Sequence, residues 1–135
     1  AIRGLVAPMR STTLRHSMAG FGMLAPEFDA DQTRAWIEPC LSDADVRRDT
    51  AAFARAADPN DLLDVAARLG RFEGPVLLVW GDADRFFKID FARRLRDVFA
   101  DGRLVEIEGG LTFVPLEHPE RLAQEIAALA PVAAP

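Results

Sequence analysis

Two short stretches carry most of the side chains able to do chemistry. One is Gly81-Asp82-Ala83-Asp84; the other is Gly109-Gly110-Leu111-Thr112, with His118 six residues beyond Thr112. The first follows "VLLVW" (residues 76–80), a continuous apolar run of strand length. Carboxylates just past such a strand stand at the edge where open α/β sheets bind ligands. Two roles fit Asp82 and Asp84. One of them could orient a histidine arriving from the neighbouring strand, as in an acid–base pair, or both could solvate a turn and cap the next helix. The chain has two histidines. His118, immediately before Pro119, suits a helix cap or a solvent-facing position and is the alternative base. His16 lies far upstream in a helical region, where it would shape access to a cleft. Glu106 and Glu108, at the end of a second strand, would need burial to serve as bases.

The elements that must position these residues follow from pattern. The strongest helical signals begin at Ser42-x-x-Asp45, which resembles a capping box and is followed by Val46, Thr50, Phe53 and Ala57 at helical spacing. Asp58-Pro59 suits an N-cap with proline at the first helical position; Leu62, Leu63, Ala66 and Leu69 form the stripe, and Gly70 stops it. At Gly74-Pro75 the pattern changes. "VLLVW" reads as a strand covered on both faces. Residues 89–100 carry Ile89, Ala92, Leu95 and Phe99 at helical spacing, "RLVEIE" (103–108) is a second strand, and Leu122, Ile126 and Leu129 line a last helix opening at Pro119. This βαβα order predicts parallel strands and a right-handed crossover. Two such strands cannot cover both of their edges, so an apolar face and an unpaired edge are expected.

The segment "GPVLLVWGDADRFFKIDFARRLRDVF" followed by "RLVEIEGGLTFVPLEHPERLAQEI" resembles the last two strand–helix units of an α/β-hydrolase. In that family a Pro–apolar run–Trp-Gly-x-x-Asp segment supplies the triad acid, and a Gly-x-Gly-His-type loop after the next strand supplies the base. The resemblance implies that Asp84 stands at the acid position and that Thr112 falls where the base is expected. Threonine cannot take up a proton near neutral pH, so Thr112 cannot replace imidazole. The resemblance further implies a partial α/β-hydrolase fold: residues 1–8 as the end of a core strand, 9–70 as a helical cap, and 71–135 as the C-terminal part of the core. The Gly-x-Ser-x-Gly elbow that would carry the nucleophile is not matched around Ser11, Ser17 or Ser42. It is expected upstream of residue 1. The expected function is hydrolysis of an ester or related bond of a small molecule by a longer parent, with this chain alone inactive. The alternative is a non-catalytic binding or interaction protein on the same fold.

Other readings are weaker in the residues themselves. Asp82-x-Asp84 superficially resembles the Asp-x-Asp of haloacid-dehalogenase phosphatases, which use magnesium and an aspartyl nucleophile. That motif ends the strand on its first aspartate and has Thr or Val two residues after the second; here Trp80-Gly81 intervenes and Phe86 holds that place. Gly20-x-Gly22-x-x-Ala25 matches a dinucleotide loop nominally, but "LRHSM" precedes it instead of a strand. Cys40, the single cysteine, excludes an internal disulfide and a cysteine metal cluster and reads as a small buried hydrophobe. No metal or cofactor is expected.

Half of the 135 residues are apolar and 27% are charged, the balance of a globular domain. A net charge of −5 argues against nucleic acid or an anionic membrane as partner. Arg47-Arg48 and Arg93-Arg94 read as solvated helix faces beside acidic residues. No apolar run approaches the ~20 residues that span a bilayer, and no secretory signal opens the chain. A cytoplasmic location is expected. So is partnership with the missing N-terminal half of the fold, or self-association in its place.

Overall fold

A computed structural model describes residues 4, 6–24 and 28–129, and of Pro59 only the backbone. The protein mixes helix with a small parallel sheet. Its elements are a 3-10 turn (Ala7–Arg10), α1 (Thr12–Arg15), a second 3-10 turn (Phe21–Met23), α2 (Ala30–Ser42), α3 (Ala44–Ala56), α4 (Pro59–Leu69), β1 (Val76–Gly81), α5 (Ile89–Arg96), β2 (Gly102–Ile107), α6 (Val114–Glu117) and α7 (Pro119–Ala127). The chain forms two compact units, Ala1–Pro59 and Asn60–Pro135. Nearly all of α4, expected within the 9–70 helical segment, therefore groups with the sheet. No helix of the described residues is long and apolar enough to cross a membrane.

The first unit is organised by α2. The Asp29 side chain accepts hydrogen bonds from Asp31 N and Gln32 N, satisfying two of the helix's free amides. Phe21, Phe28 and Trp36 pack edge to face, with centroids 5.1–6.2 Å apart. Asp43, not Ser42, caps α3, accepting from Asp45 N and Val46 N; Ser42 still belongs to α2 and donates to Glu38 O. Arg47 donates to Cys40 O and Leu41 O, satisfying carbonyls at the C-terminal end of α2. The stripe expected on α3 stays largely uncovered. Val46 is half-buried, whereas Phe53 is 79% exposed. Gly20 and Gly22 are explained by packing: a Cβ at either would come within 2.2–2.4 Å of a backbone carbonyl at Arg15 or His16. They follow a helix rather than a strand, unlike a dinucleotide loop.

The strand end expected at residues 1–8 is not seen in the residues described there. Gly4 and Val6 are helical, and Ala7–Arg10 forms a 3-10 turn with proline near its start; the other residues of that stretch before Ala7 lie outside the described set. A strand must find a neighbour for its amides and carbonyls, and among the described residues β1 and β2 pair only with each other.

The second unit has the expected β–α–β–α order. β1 and β2 are parallel, in register from Val76 opposite Gly102 to Gly81 opposite Ile107. Helix α5 packs on both strands with Ala92 fully buried. Arg93 fastens it by a bidentate pair to Glu106 on β2, at 2.9 and 2.7 Å. On α7, Glu125 receives Arg103 of β2 at 2.9 Å and Arg121 at 2.7 Å. β1 was expected to be covered on both faces; its residues 76–80 are instead only half-buried. A two-stranded sheet makes each strand an edge, so the apolar run that would fill a central strand keeps one side open.

Candidate functional site

The carboxyl ends of β1 and β2 are joined by close backbone approach. Asp82 N donates to Ile107 O at 3.1 Å and Ala83 N to Gly110 O at 3.0 Å. Gly81 permits this, since a Cβ there would lie 2.2 Å from Gly110 O. The Asp82 side chain adds a 2.7 Å bond from Gly109 N, and Gly109 adopts φ +70°, a conformation glycine takes without strain. The two glycine-containing loops are thus zipped together before any functional side chain is considered.

That zipper brings Thr112 to Asp84. Thr112 Oγ1 donates to Asp84 Oδ1 at 3.0 Å, the proximity that the family resemblance implied. Asp84 is 7% exposed, and the same Oδ1 accepts from Phe86 N (2.8 Å) and Phe87 N (3.0 Å). The carboxylate therefore organises the turn leading into α5 and also meets Thr112. Of the two roles read from the sequence, turn-capping is the one seen; no histidine meets the carboxylate among the described residues. All three bonds fall on Oδ1; Oδ2 receives none among the described residues. A threonine hydroxyl spends its proton on the carboxylate and cannot act as a base near neutral pH, so the pair can position groups but cannot pull a proton from a nucleophile.

The other candidates lie elsewhere or have other work. His118 is half-buried between α6 and α7, and its ring makes no hydrogen bond to Asp84 or Thr112 among the described residues. His16 Nε2 lies 2.8 Å from the fully buried Thr33 hydroxyl, which also takes Arg15 Nε and bonds the carbonyls of Asp29 and Ala30. With the hydroxyl proton on a carbonyl, Nε2 is the donor, so His16 is a structural member of the α2 network. The hydrogen bond from Arg93 holds the Glu106 carboxyl below its ordinary value against the opposing effect of burial. That is opposite to what a base would need. Glu108 is exposed. Trp80 and Gly81, expected to intervene between the strand and Asp82, belong to the strand, so Asp82 follows it directly; no group of three His, Cys, Asp or Glu among the described residues could hold a metal.

One residue was missed by sequence reasoning. Glu117 Oε2 accepts the Leu111 amide at 2.8 Å, bracing the loop that carries Thr112, while its Oε1 is buried without a partner. Six residues separate the two across a turn, so no helical or strand spacing signalled the contact.

Fold and site together define a mixed α/β protein with a carboxylate–hydroxyl pair at the carboxyl edge of a parallel two-stranded sheet. No family model matches the chain, and no curated protein or solved structure is similar to it. The reading of this edge rests on its own geometry.

Proposed function

We propose that the chain supplies the acid-bearing C-terminal part of an α/β-hydrolase-fold protein acting on an ester or related bond of a small molecule. In this reading Asp84 keeps the triad-acid place, and Thr112 has turned the base position into a structural contact. The observation that carries it is the 3.0 Å bond from Thr112 Oγ1 to Asp84 Oδ1, on loops that leave the βαβα unit at the sheet edge where such chemistry is built. The nucleophile would come from chain upstream of these residues, and the base is the member lost at Thr112. A non-catalytic binding protein on the same fold is the second reading. It is favoured by the three hydrogen bonds that already occupy Asp84 Oδ1.

The 135-residue chain is expected not to hydrolyse p-nitrophenyl acetate above background. Turnover abolished by Asp84→Ala would overturn that. A longer protein containing this segment separates the two readings: labelling by a fluorophosphonate, with ester hydrolysis raised by Thr112→His, supports the hydrolase. General-base assistance is worth ~10²–10⁴-fold. Neither labelling nor gain leaves the binding protein.

A further inference from the structure

Arg15 is 2% exposed, yet every partner it has among the described residues is neutral. Its Nε donates to Thr33 Oγ1 at 3.0 Å. One terminal nitrogen reaches Met9 O at 2.9 Å and Arg10 O at 3.4 Å, and the other reaches Ala30 O at 3.1 Å and Thr12 Oγ1 at 3.3 Å. Five donors thus find five oxygens, and no carboxylate among the described residues neutralises the charge. Buried charges are ordinarily paired. Here the hydrogen bonds are satisfied while the positive field is not. The first turn of α2, whose Ala30 and Thr33 hold the guanidinium, is already capped by the Asp29 carboxylate, so the helix end adds little positive field of its own.

This charge lines an open groove of about 330 Å³ along α2, with Arg10, Arg34, Ile37, Glu38 and Leu41. Arg10 is exposed and forms no ion pair among the described residues. Arg34 meets Glu38 only at 3.7 Å, with both side chains largely in solvent (70% and 49% exposed), a pair of little strength. Among the described residues, three guanidiniums and one carboxylate therefore line one groove in a chain whose net charge is −5. The buried Ile37 and half-buried Leu41 give it a small aliphatic surface beside a mostly polar lining. The volume exceeds that of a lone oxyanion many times over, a liquid water taking about 30 Å³.

We propose that this groove binds a small organic anion, with an alkyl carboxylate or alkyl phosphate group held by Arg10 and Arg34 in the field of Arg15, and its hydrocarbon portion on Ile37 and Leu41. Guanidinium forks fit the oxygens of either group. The two longest Arg15 bonds, 3.3 and 3.4 Å, lie on different terminal nitrogens, and these are the donors an arriving oxyanion would recruit at least loss.

The test is a titration of the full chain at low salt with butyl phosphate, butanoate and inorganic phosphate, followed by amide and Arg15 Nε–H resonances. The expectation is saturable shifts confined to Arg10, Arg15 and the 34–41 face of α2, with a Kd of about 1 mM or tighter for the better alkyl anion. Inorganic phosphate should bind more weakly, because it leaves the aliphatic surface empty. The arm that saturates first distinguishes phosphate ester from carboxylate. Arg10→Gln and Arg34→Gln should each weaken binding about tenfold, and Glu38→Gln should strengthen it severalfold, since removing a like charge favours the anion. These side chains are exposed, so their variants keep Arg15 and the fold. Arg55→Gln on α3 is the control and should change nothing. Non-saturating shifts with all three anions would overturn the proposal. So would equal weakening by Arg55→Gln, which would mean diffuse charge attraction, or binding indifferent to both Arg10→Gln and Arg34→Gln.

Discussion

Asp84 holds three donors on one oxygen, so its removal should act on the turn into α5 before it acts on anything else. Asp84→Ala would leave the Phe86 and Phe87 amides without their acceptor. An unmade bond to a charged group costs roughly 1–3 kcal/mol, which corresponds to local exchange faster by roughly five- to 150-fold at those two amides. Thr112→Val removes only the hydroxyl and preserves shape, so its effect there should be smaller. Hydrogen-exchange rates at Phe86 and Phe87 check both; unchanged rates in Asp84→Ala would show that the turn does not depend on the carboxylate. Asp84 and the glycines around it were legible in the sequence because strand, glycine and carboxylate occur in a fixed order. The Glu117 brace was not, because a contact across a non-repeating loop has no period.

Helix α5 is joined to β2 by charge as well as by packing. The Arg93 hydrogen bond lowers the Glu106 carboxyl from its ordinary 4.5, opposed by burial and aided by the charges of Arg93 and Arg96. For Glu125, burial alone would raise the carboxyl, but the hydrogen bonds of Arg121 and Arg103 and their charges together outweigh it and the net direction is down. A carboxylate lowered in the folded state binds fewer protons than it does unfolded. Its stabilisation is therefore complete above pH 4.5 and is lost as pH falls through the lowered folded value. Glu106→Gln should accordingly reduce amide protection of α5 and β2 at pH 7, and the difference from the natural chain should close as pH drops below 4.5. Added salt should narrow it as well, since the pair is exposed. A difference that persists unchanged at low pH would assign the effect to packing instead. The same scale shows where pattern misled. α2 fell within the expected 9–70 helical segment but had no cap or stripe assigned to it, and Pro39 lies inside it; the capping signal at Ser42 was one residue early, since Asp43 ends one helix and starts the next.

The described residues leave much apolar surface uncovered: Phe53, Leu62, Leu63, Phe72 and Phe91 are each half or more exposed. Two edge strands add unpaired backbone groups. Exposed apolar faces of this extent favour association, and a net charge of −5 opposes it only weakly at physiological salt. Sedimentation of the 135-residue chain should therefore give a mass that rises with concentration above that of one chain, and replacing Leu62, Leu63 and Phe72 by glutamate should lower it. A concentration-independent monomer with a single sharp unfolding transition would contradict this expectation.

The order of strands and helices in the second unit and their parallel pairing follow from local pattern, whereas the meeting of Asp84 with Thr112 was implied only by the family resemblance. Apolar period, glycine and proline positions and the short links leave few arrangements for 60 residues. Burial did not follow from pattern. The stripes on α3 and α4 and the run of β1 promise covered faces, but whether a face is covered depends on what packs against it, and this information is not local. The buried guanidinium of Arg15 was likewise invisible in sequence, where it stands as one arginine among many. Only the folding of Met9, Arg10, Thr12, Ala30 and Thr33 around it, from segments up to 24 positions apart, turned it into a charge with no counter-charge among the described residues.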